Sequence, residues 1–461
     1  MPNSSGPCER SSKPRQAVVL IHGIGEQRPM ETLRGFVDAL LRDHPYYSKP
    51  DKISDSYELR RFKLRRDALE KWPETDFYEY YWAHQMYGTT WSHVLHWFLR
   101  VMKQGGRFLG VKQTPYPRLR LFARIGWGVT VAAAAGAIWL VWMYGWNSWT
   151  TILAAGGTVA VLGGLYLLAR LFFLQALLDV VGDAARYLDV APKNVARRYD
   201  ILRGGISLLQ NLHEDHDENE RGIKYHYGRV VLVGHSLGSV IAYDILRHYW
   251  GNVNGSINVK DLDLSKVENF AGSNGPPAAP KPDWYTEPSD FYQAQRRAWR
   301  AMNSDLPHGV VPKKALHARW LVSDLITLGS PLAHAPVLLA DGLLDLDTKR
   351  LLRELPTCPP DRSQNLNPGH FVVDLSAEAE RIEDYPILHH AACFAVTRWT
   401  NFWFPNDPIG GPLPAAFGTG IEDVPLANVS INPAKSHVSY WQRSDKCVAK
   451  VRQILVSPDE A

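Results

Sequence analysis

The sequence predicts an α/β fold in which helices flank a mostly parallel central sheet. Short runs of β-branched and aliphatic residues occur at 16–21, 229–233 and 321–328, and loop residues follow each run. Segments with the apolar spacing of amphipathic helices lie between them, at 30–42 and 194–212. Such alternation of strands and helices along a chain is typical of parallel sheets, because each parallel connection needs a crossover.

The individual elements follow from residue type and spacing. β-Branched and aromatic residues favour strands, and apolar residues repeating every three to four positions favour helices. The predicted strands are 16–21, 76–82, 229–233, 321–328 and 399–404. The predicted helices are 30–42, 90–102, 171–188, 194–212, the segment after Ser236, and 291–302.

Composition narrows the class of protein. The chain has 461 residues, 45% of them hydrophobic, which supports a large core. A net charge of +4 is small for this length, so overall charge does not suggest nucleic-acid binding. Four cysteines are scattered without C-x-x-C spacing, which predicts reduced thiols in a cytosolic compartment. Residues 1–16 are polar, so we expect a disordered lead-in and no secretory signal peptide.

The stretch Gly234-His235-Ser236-Leu237-Gly238 lies between a predicted strand and a predicted helix. A G-x-S-x-G motif in this context holds a serine on a sharp turn, where small neighbours prevent collision. Ser236 is therefore the predicted nucleophile, and the N–H of Leu237 is a predicted oxyanion donor. Gly234, His235 and Gly238 are expected to support the turn. The alternative is a strand-to-helix turn without chemistry.

The first predicted strand ends in His22-Gly23-Ile24-Gly25. A loop at this place supplies the second oxyanion N–H in serine hydrolases, so Ile24 is the predicted second donor. We expect Gly23 and Gly25 to allow close approach of the backbone, and His22 to support the loop through hydrogen bonds. A plain glycine-rich turn is the alternative; a phosphate-binding loop is disfavoured because no Gly-Lys-Ser/Thr is present.

Candidate partners for the serine come from chain order, which in such enzymes is Ser, acid, His. Asp407 follows a predicted strand, and His437 is the only histidine downstream of it. The sequence therefore predicts a catalytic triad of Ser236, Asp407 and His437. Glu422 and Asp423 remain alternatives for the acid.

Other polar residues are expected to have no catalytic role. Asp324 lies inside a predicted strand and is expected to be structural. The acidic stretch 213–220 is expected to be a solvated loop, and His389-His390 lack a third ligand. No metal site and no cofactor are predicted, since the triad chemistry requires neither.

Residues 125–169 contain no charged side chain. The run is long enough for two membrane-spanning helices, at about 125–146 and 149–169, since one span needs about 20 apolar residues. Basic residues precede it, which predicts that both ends face the cytoplasm. Residues 17–124 and 170–461 would then form one cytosolic domain, with surface excursions at 251–288 and 340–392. A buried core hairpin or a re-entrant lid is the alternative.

Taken together, the motifs resemble the serine lipase/esterase branch of the α/β-hydrolase superfamily. The matching stretches are Ile21-His22-Gly23-Ile24-Gly25, Gly234-His235-Ser236-Leu237-Gly238, Leu328-Gly329-Ser330-Pro331, Asn406-Asp407-Pro408 and Ser436-His437-Val438-Ser439-Tyr440-Trp441. Residues 182–188 are similar to a helix of intracellular phospholipase A1-type and GPI-inositol-deacylase-like proteins. The resemblance implies an α/β-hydrolase fold, here with an inserted hydrophobic hairpin, and hydrolysis of acyl esters, with membrane lipids as one substrate class.

The expected function is that of a membrane-anchored serine hydrolase acting on carboxylic esters, with lipid acyl esters as the expected substrates. Its expected partners are an acyl-ester substrate and, through 125–169, the bilayer; no nucleic acid is expected. Two alternatives stay open. A thioesterase or acyltransferase uses the same triad, and a membrane scaffold of the same fold would lack activity.

Overall fold

The computed structural model describes a defined part of the chain. The described residues are 14–23, 28–42, 44–53, 60–64, 72–85, 135, 187, 192–219, 222–257, 259, 262–272, 287–304, 319–361, 372–374, 386–428, 430 and 432–456. The predicted hairpin at 125–169, except Ala135, lies outside them, as do Ile24, Gly25 and the predicted helix at 90–102. Within the described residues, no helix combines the length and apolarity that a bilayer span requires.

The described strands are β1 Arg15–Ile21, β2 Tyr46–Pro50, β3 Arg60–Leu64, β4 Thr75–Tyr80, β5 His216–Asn219, β6 Gly222–Tyr225, β7 Tyr227–His235, β8 Val322–Leu328, β9 Val372–Asp374, β10 Pro386–Leu388, β11 Arg398–Trp403 and β12 Glu422–Pro425. The described α-helices are α1 Glu31–Leu41, α2 Pro192–Glu214, α3 Leu237–Val253, α4 Ser265–Gly272, α5 Pro288–Ser304, α6 Ala335–Leu338, α7 Leu343–Leu351, α8 Pro414–Phe417, α9 Pro433–His437 and α10 Asp445–Val456. Short 3₁₀ turns occur at Ala83–Gln85, Asn254–Ser256, Pro331–His334 and Cys393–Ala395.

Eight strands form one mixed sheet in the order β12-β11-β8-β7-β1-β4-β3-β2. The six strands from β12 to β4 run parallel, whereas β3 and β2 form an antiparallel edge. Parallel strands place all their carboxyl ends at one edge of the sheet, which is where ligands bind in open α/β sheets. The predicted α/β class is confirmed, and β7, which leads to Ser236, lies near the middle of the sheet.

Helices cover both faces of the sheet, and alternation along β1 explains why. Val18 and Leu20 belong to an apolar cluster with α1 and α10, whereas Ala17, Val19 and Ile21 belong to a second cluster with α2, α3 and α5. Successive side chains of a strand point to opposite faces, so a strand buried on both sides is continuously apolar. The predicted strands and helices that fall within the described residues match observed elements to within three residues at each end.

Asp324 of β8 is structural, as the sequence predicted. It is 1% exposed and lies 2.7 Å from Arg229 Nη2 and 2.7 Å from Arg296 Nη2. Burial alone would raise the pKa of Asp324, but the two guanidinium groups hold it well below its usual range. The ion pairs thus connect β8 to β7 and to α5.

Three expectations about segments are wrong. The lead-in does not extend to residue 16, because Arg15 and Gln16 belong to β1. The stretch 213–220 is not simply a solvated loop: it holds the end of α2 and β5, which pairs with β6. His213 is buried, and its Nε2 accepts a hydrogen bond from the Leu321 N–H at 2.9 Å.

The third correction concerns the predicted surface excursions. The described part of 251–288 includes α4, whose Val267 and Phe270 are buried in the core. The described part of 340–392 includes α7 and the β9–β10 pair, and it buries Leu355 and Cys358. The sequence did not predict these contacts, because the apolar residues are isolated among polar, glycine and proline residues and therefore form no periodic pattern.

Candidate active site

Ser236 occupies the turn between β7 and α3, at the carboxyl edge of the sheet. Its backbone has φ 52° and ψ −129°, a positive-φ conformation that is strained for a residue with a side chain. A Cβ on Gly234 would lie only 2.4 Å from Ser239 Cα, so the absent side chain lets α3 turn back against the end of β7. The backbone at Ser236 therefore forms the sharp turn that the G-x-S-x-G motif predicted.

The predicted loop after β1 packs directly against this turn. A Cβ on Gly238 would lie 2.1 Å from the Ile21 carbonyl oxygen, and one on Gly23 would lie 2.8 Å from Ser236 Cβ. These distances are too short for any side chain, so both glycines allow the β1 loop to approach the serine. The supporting roles that the sequence assigned to Gly23, Gly234 and Gly238 thus have a steric basis.

His437, at the end of α9, bridges the serine and the acid. Its Nε2 lies 2.8 Å from Ser236 Oγ, and its Nδ1 lies 3.1 and 3.0 Å from the two Asp407 oxygens. A carboxylate only accepts hydrogen bonds, so Nδ1 carries the proton and Nε2 accepts from the serine hydroxyl. The structure brings together all three residues of the predicted triad, from positions 201 and 30 residues apart in sequence.

Asp407 follows β11 and is 1% exposed. Its Oδ1 accepts from the Ile409 N–H at 2.9 Å, and its Oδ2 accepts from the Tyr440 hydroxyl at 2.6 Å. Burial would raise the pKa of Asp407, but the charge and hydrogen bond of His437 together with the hydrogen bonds from Tyr440 and Ile409 hold it well below its usual range. The carboxylate is therefore ionised and oriented toward the imidazole.

The alternative acids lie elsewhere. Glu422, in β12, accepts from Arg398 at 2.7 Å and pairs with Lys450 at 3.0 Å. Asp423 accepts from Asn401 Nδ2 at 2.7 Å and from the Trp403 indole at 2.8 Å. The carboxylate in hydrogen-bond contact with His437 is that of Asp407.

The two other histidines near Ser236 act on the backbone. His235 Nε2 donates to the His437 carbonyl oxygen at 2.9 Å, and His22 Nδ1 donates to the Gly23 carbonyl oxygen at 2.7 Å. Burial lowers the pKa of His22 to about 4 and that of His235 to about 3. Both rings are therefore neutral at neutral pH, so each supports its loop by a hydrogen bond and adds no positive charge.

Of the two predicted oxyanion donors, Leu237 lies within the described residues and Ile24 does not. Leu237 is the first residue of α3, and the first N–H groups of a helix have no partner within the helix. Its position beside Ser236 is therefore compatible with the predicted role as an oxyanion donor. Ile24 and Gly25 lie outside the described residues, so the second donor stays a prediction. Within the described residues, no group of three or more His, Cys, Asp or Glu side chains is arranged to hold a metal.

Sequence reasoning missed two contributors to the site. The Tyr440 hydroxyl donates to Asp407 and accepts from the Phe404 N–H at 3.3 Å. Gly329, with φ 59°, faces the same carboxylate: a Cβ there would lie 3.0 Å from Asp407 Oδ2. Both residues lie in stretches that carried the sequence resemblance, 328–331 and 436–441, but nothing in the sequence indicated that either contacts the acid.

We expect Tyr440→Phe to shift the acid limb of the pH profile of kcat/KM to higher pH, by up to about one unit. Without the tyrosine hydrogen bond, more of the carboxylate charge acts on the imidazole, so the protonated ring is stabilised. Activity against pH on a p-nitrophenyl ester checks this. Tyr243→Phe is the control, because it also removes a buried tyrosine hydroxyl, but one that donates to the Pro356 carbonyl and not to Asp407. An unchanged profile in Tyr440→Phe would contradict the expectation.

Comparisons with known proteins returned no relatives: no family model, curated protein or solved structure matches the chain.

Proposed function

We propose that the protein is a serine hydrolase that cleaves carboxylic esters through a triad of Ser236, His437 and Asp407. The observation that carries the proposal is the continuous hydrogen-bond chain from Ser236 Oγ through the imidazole to the Asp407 carboxylate. The order of the triad along the chain and the positive φ of Ser236 also agree with the α/β-hydrolase arrangement.

The first chemical step follows from the proton positions. Ser236 Oγ attacks the ester carbonyl carbon while its proton moves to His437 Nε2, and the carbonyl oxygen becomes an oxyanion beside the Leu237 N–H. The tetrahedral species collapses with transfer of the proton from His437 to the departing alcohol, which leaves an acyl-enzyme. Water then attacks the acyl group with His437 again as the base, which releases the acid and restores Ser236.

We further propose that the substrates are lipid acyl esters and that residues 125–169 hold the protein in a membrane, with the catalytic domain facing the cytoplasm. The support is the uncharged run itself and the basic residues before it. Anchoring concentrates a bilayer substrate near the site without any new contact.

Labelling with a fluorophosphonate probe tests the nucleophile, since only an activated serine reacts. We expect the folded full-length protein to label, and Ser236→Ala and heat-denatured protein to remain unlabelled. Ser256→Ala is the matched control, because Ser256 is exposed on a surface turn and should label like the wild type. If the folded wild-type protein is not labelled, the proposal that it is a serine hydrolase is wrong. If Ser236→Ala is still labelled, the assignment of Ser236 as the nucleophile is wrong.

A substrate panel then separates the ester hydrolase from its rivals. The panel holds p-nitrophenyl esters, acyl-CoA thioesters and phospholipids, each with Ser236→Ala as the blank. The proposal requires turnover of phospholipid esters above the blank. Turnover confined to thioesters would indicate a thioesterase instead.

Membrane attachment has its own test. We expect the full chain to remain with membranes after an alkaline carbonate wash, and replacement of 125–169 by a short Gly/Ser linker to release it with hydrolysis of short soluble esters retained. Release of the full chain by carbonate would contradict the anchor and leave the triad proposal standing.

A further inference from the structure

A second cluster of charged residues lies at the amino ends of the parallel strands, the edge opposite to Ser236. Arg15 is the first residue of β1 and Asp76 the second of β4, while Arg61 and Lys63 come from the antiparallel strand β3. We refer to Arg15, Arg61, Lys63 and Asp76 as the basic cluster. Lys63 is paired with Asp76 across the β3–β4 ladder, which brings the charges together.

The three cations of the basic cluster contact one and the same carboxylate. Asp76 Oδ2 lies 3.0 Å from Arg15 Nη1 and 3.2 Å from Arg61 Nη1, and Asp76 Oδ1 lies 3.3 Å from Lys63 Nζ. Among the residues that the structure describes here, three positive charges and one negative charge leave a surplus of two. Since Asp76 is fully buried and each cationic side chain is only 16–20% exposed, water screens this surplus incompletely.

Neighbouring tyrosines do not neutralise the surplus. The Tyr227 hydroxyl donates to Asp76 Oδ2 at 2.7 Å and lies 2.6 Å from the Tyr78 hydroxyl. Burial raises the pKa of Tyr78 to about 12 and raises that of Tyr227 as well, so both rings are uncharged. Tyr227 also competes for Asp76, because its hydroxyl uses the oxygen that Arg15 and Arg61 contact.

The surroundings of Lys63 disfavour its charged form. Burial lowers its pKa, and the charges of Arg15 and Arg61 lower it further, against the opposing effect of Asp76. In addition, Arg61 Nε and Asp76 Oδ1 are both buried without a hydrogen-bond partner in the described part of the chain. An added anion would offset the excess positive charge and offer an acceptor to the guanidinium, whereas Asp76 Oδ1 would still lack a donor.

We propose that the basic cluster binds a phosphate monoester or inorganic phosphate group. Such a group carries about −1.5 to −2 charge at neutral pH, which matches the surplus of two, and has three acceptor oxygens for guanidinium and ammonium donors. Binding at this edge leaves the Ser236 site open, so the site is separate from ester hydrolysis and does not depend on the proposed function.

Titration calorimetry on the full-length protein in detergent tests the proposal, with inorganic phosphate as the first probe and acetate as the monovalent control. We expect phosphate to bind and acetate not to bind at equal ionic strength. Lys63→Met should weaken phosphate binding at least tenfold, and Lys63→Arg should restore it because it keeps the charge. Lys49→Met, which removes an exposed lysine from neighbouring β2, should leave binding unchanged.

The source of the phosphate group is resolved by a second pair of probes. Dihexanoyl phosphatidic acid presents a phosphate monoester on a water-soluble lipid, and dihexanoyl phosphatidylcholine presents a zwitterionic diester. Binding of phosphatidic acid at least tenfold tighter than phosphate indicates a lipid headgroup, and equal affinity indicates a free phosphate.

Stability gives a readout that does not depend on affinity. In phosphate-free buffer, Lys63→Met should have a Tm equal to or above that of the wild type, because it removes surplus charge. Equal binding of acetate, absence of phosphate binding by the wild type, or a clearly lower Tm of Lys63→Met in phosphate-free buffer would overturn the proposal and identify the cluster as a structural ion network.

Discussion

We expect His437→Ala to hydrolyse p-nitrophenyl esters roughly 10⁵- to 10⁶-fold more slowly than the wild type in kcat, by comparison with removal of a catalytic histidine from other serine hydrolases. His437 Nε2 is the atom that contacts Ser236 Oγ, so its loss leaves the hydroxyl without a base. KM should change little, because the imidazole acts on the reacting atoms and not on the rest of the substrate. Steady-state kinetics with an active-site titration of the wild type measures both parameters.

The control for this variant is His390→Ala, which removes an exposed histidine. It should retain wild-type kinetics, and both variants should show the same far-ultraviolet circular dichroism. A His437→Ala protein that is folded and retains more than about one hundredth of the activity would exclude His437 as the base.

The second large effect is expected for Asp407→Asn, which should lower kcat by about 10⁴-fold. The amide preserves shape but presents a donor to Nδ1, so the ring adopts the tautomer with a proton on Nε2, which cannot accept from Ser236. The loss of charge also removes the stabilisation of the protonated imidazole. The same ester assay checks this outcome.

Asp423→Asn and Glu422→Gln are the matched controls, because Asp423 and Glu422 were the alternative candidates for the acid in the sequence. We expect each to retain activity within a few-fold, because their carboxylates contact Asn401, Trp403, Arg398 and Lys450. A loss of 10⁴-fold in either control, with Asp407→Asn active, would reassign the acid.

Much of the fold was predictable because strands buried on both faces are rich in β-branched, aliphatic and aromatic residues. β1, β8 and β11 match their predicted bounds to within one residue, and α1 does so as well. The pairing order was not predictable: β2 and β3 lie between α1 and β4 in sequence but form the antiparallel edge of the sheet. Their residues are largely polar and partly exposed, so they carry weak strand signals.

The candidate site divides in a similar way. Chain order and loop position selected Ser236, Asp407 and His437, and the structure places them in hydrogen-bond contact, while their catalytic roles stay predictions. Tyr440 could not be selected, because its role depends on the direction in which the turn after α9 points its side chain. The basic cluster could not be predicted from the sequence either, because its four members come from three strands.

The sequence by itself determined the α/β class, the serine turn and the candidates for the triad, because periodicity, glycine positions and chain order are local properties of the polypeptide. The tertiary structure alone decided which acid contacts His437, which carboxylate is structural, and which cations surround Asp76. Those outcomes depend on distances of a few ångströms between residues remote in sequence, and only the packing of helices and loops around the sheet establishes such distances.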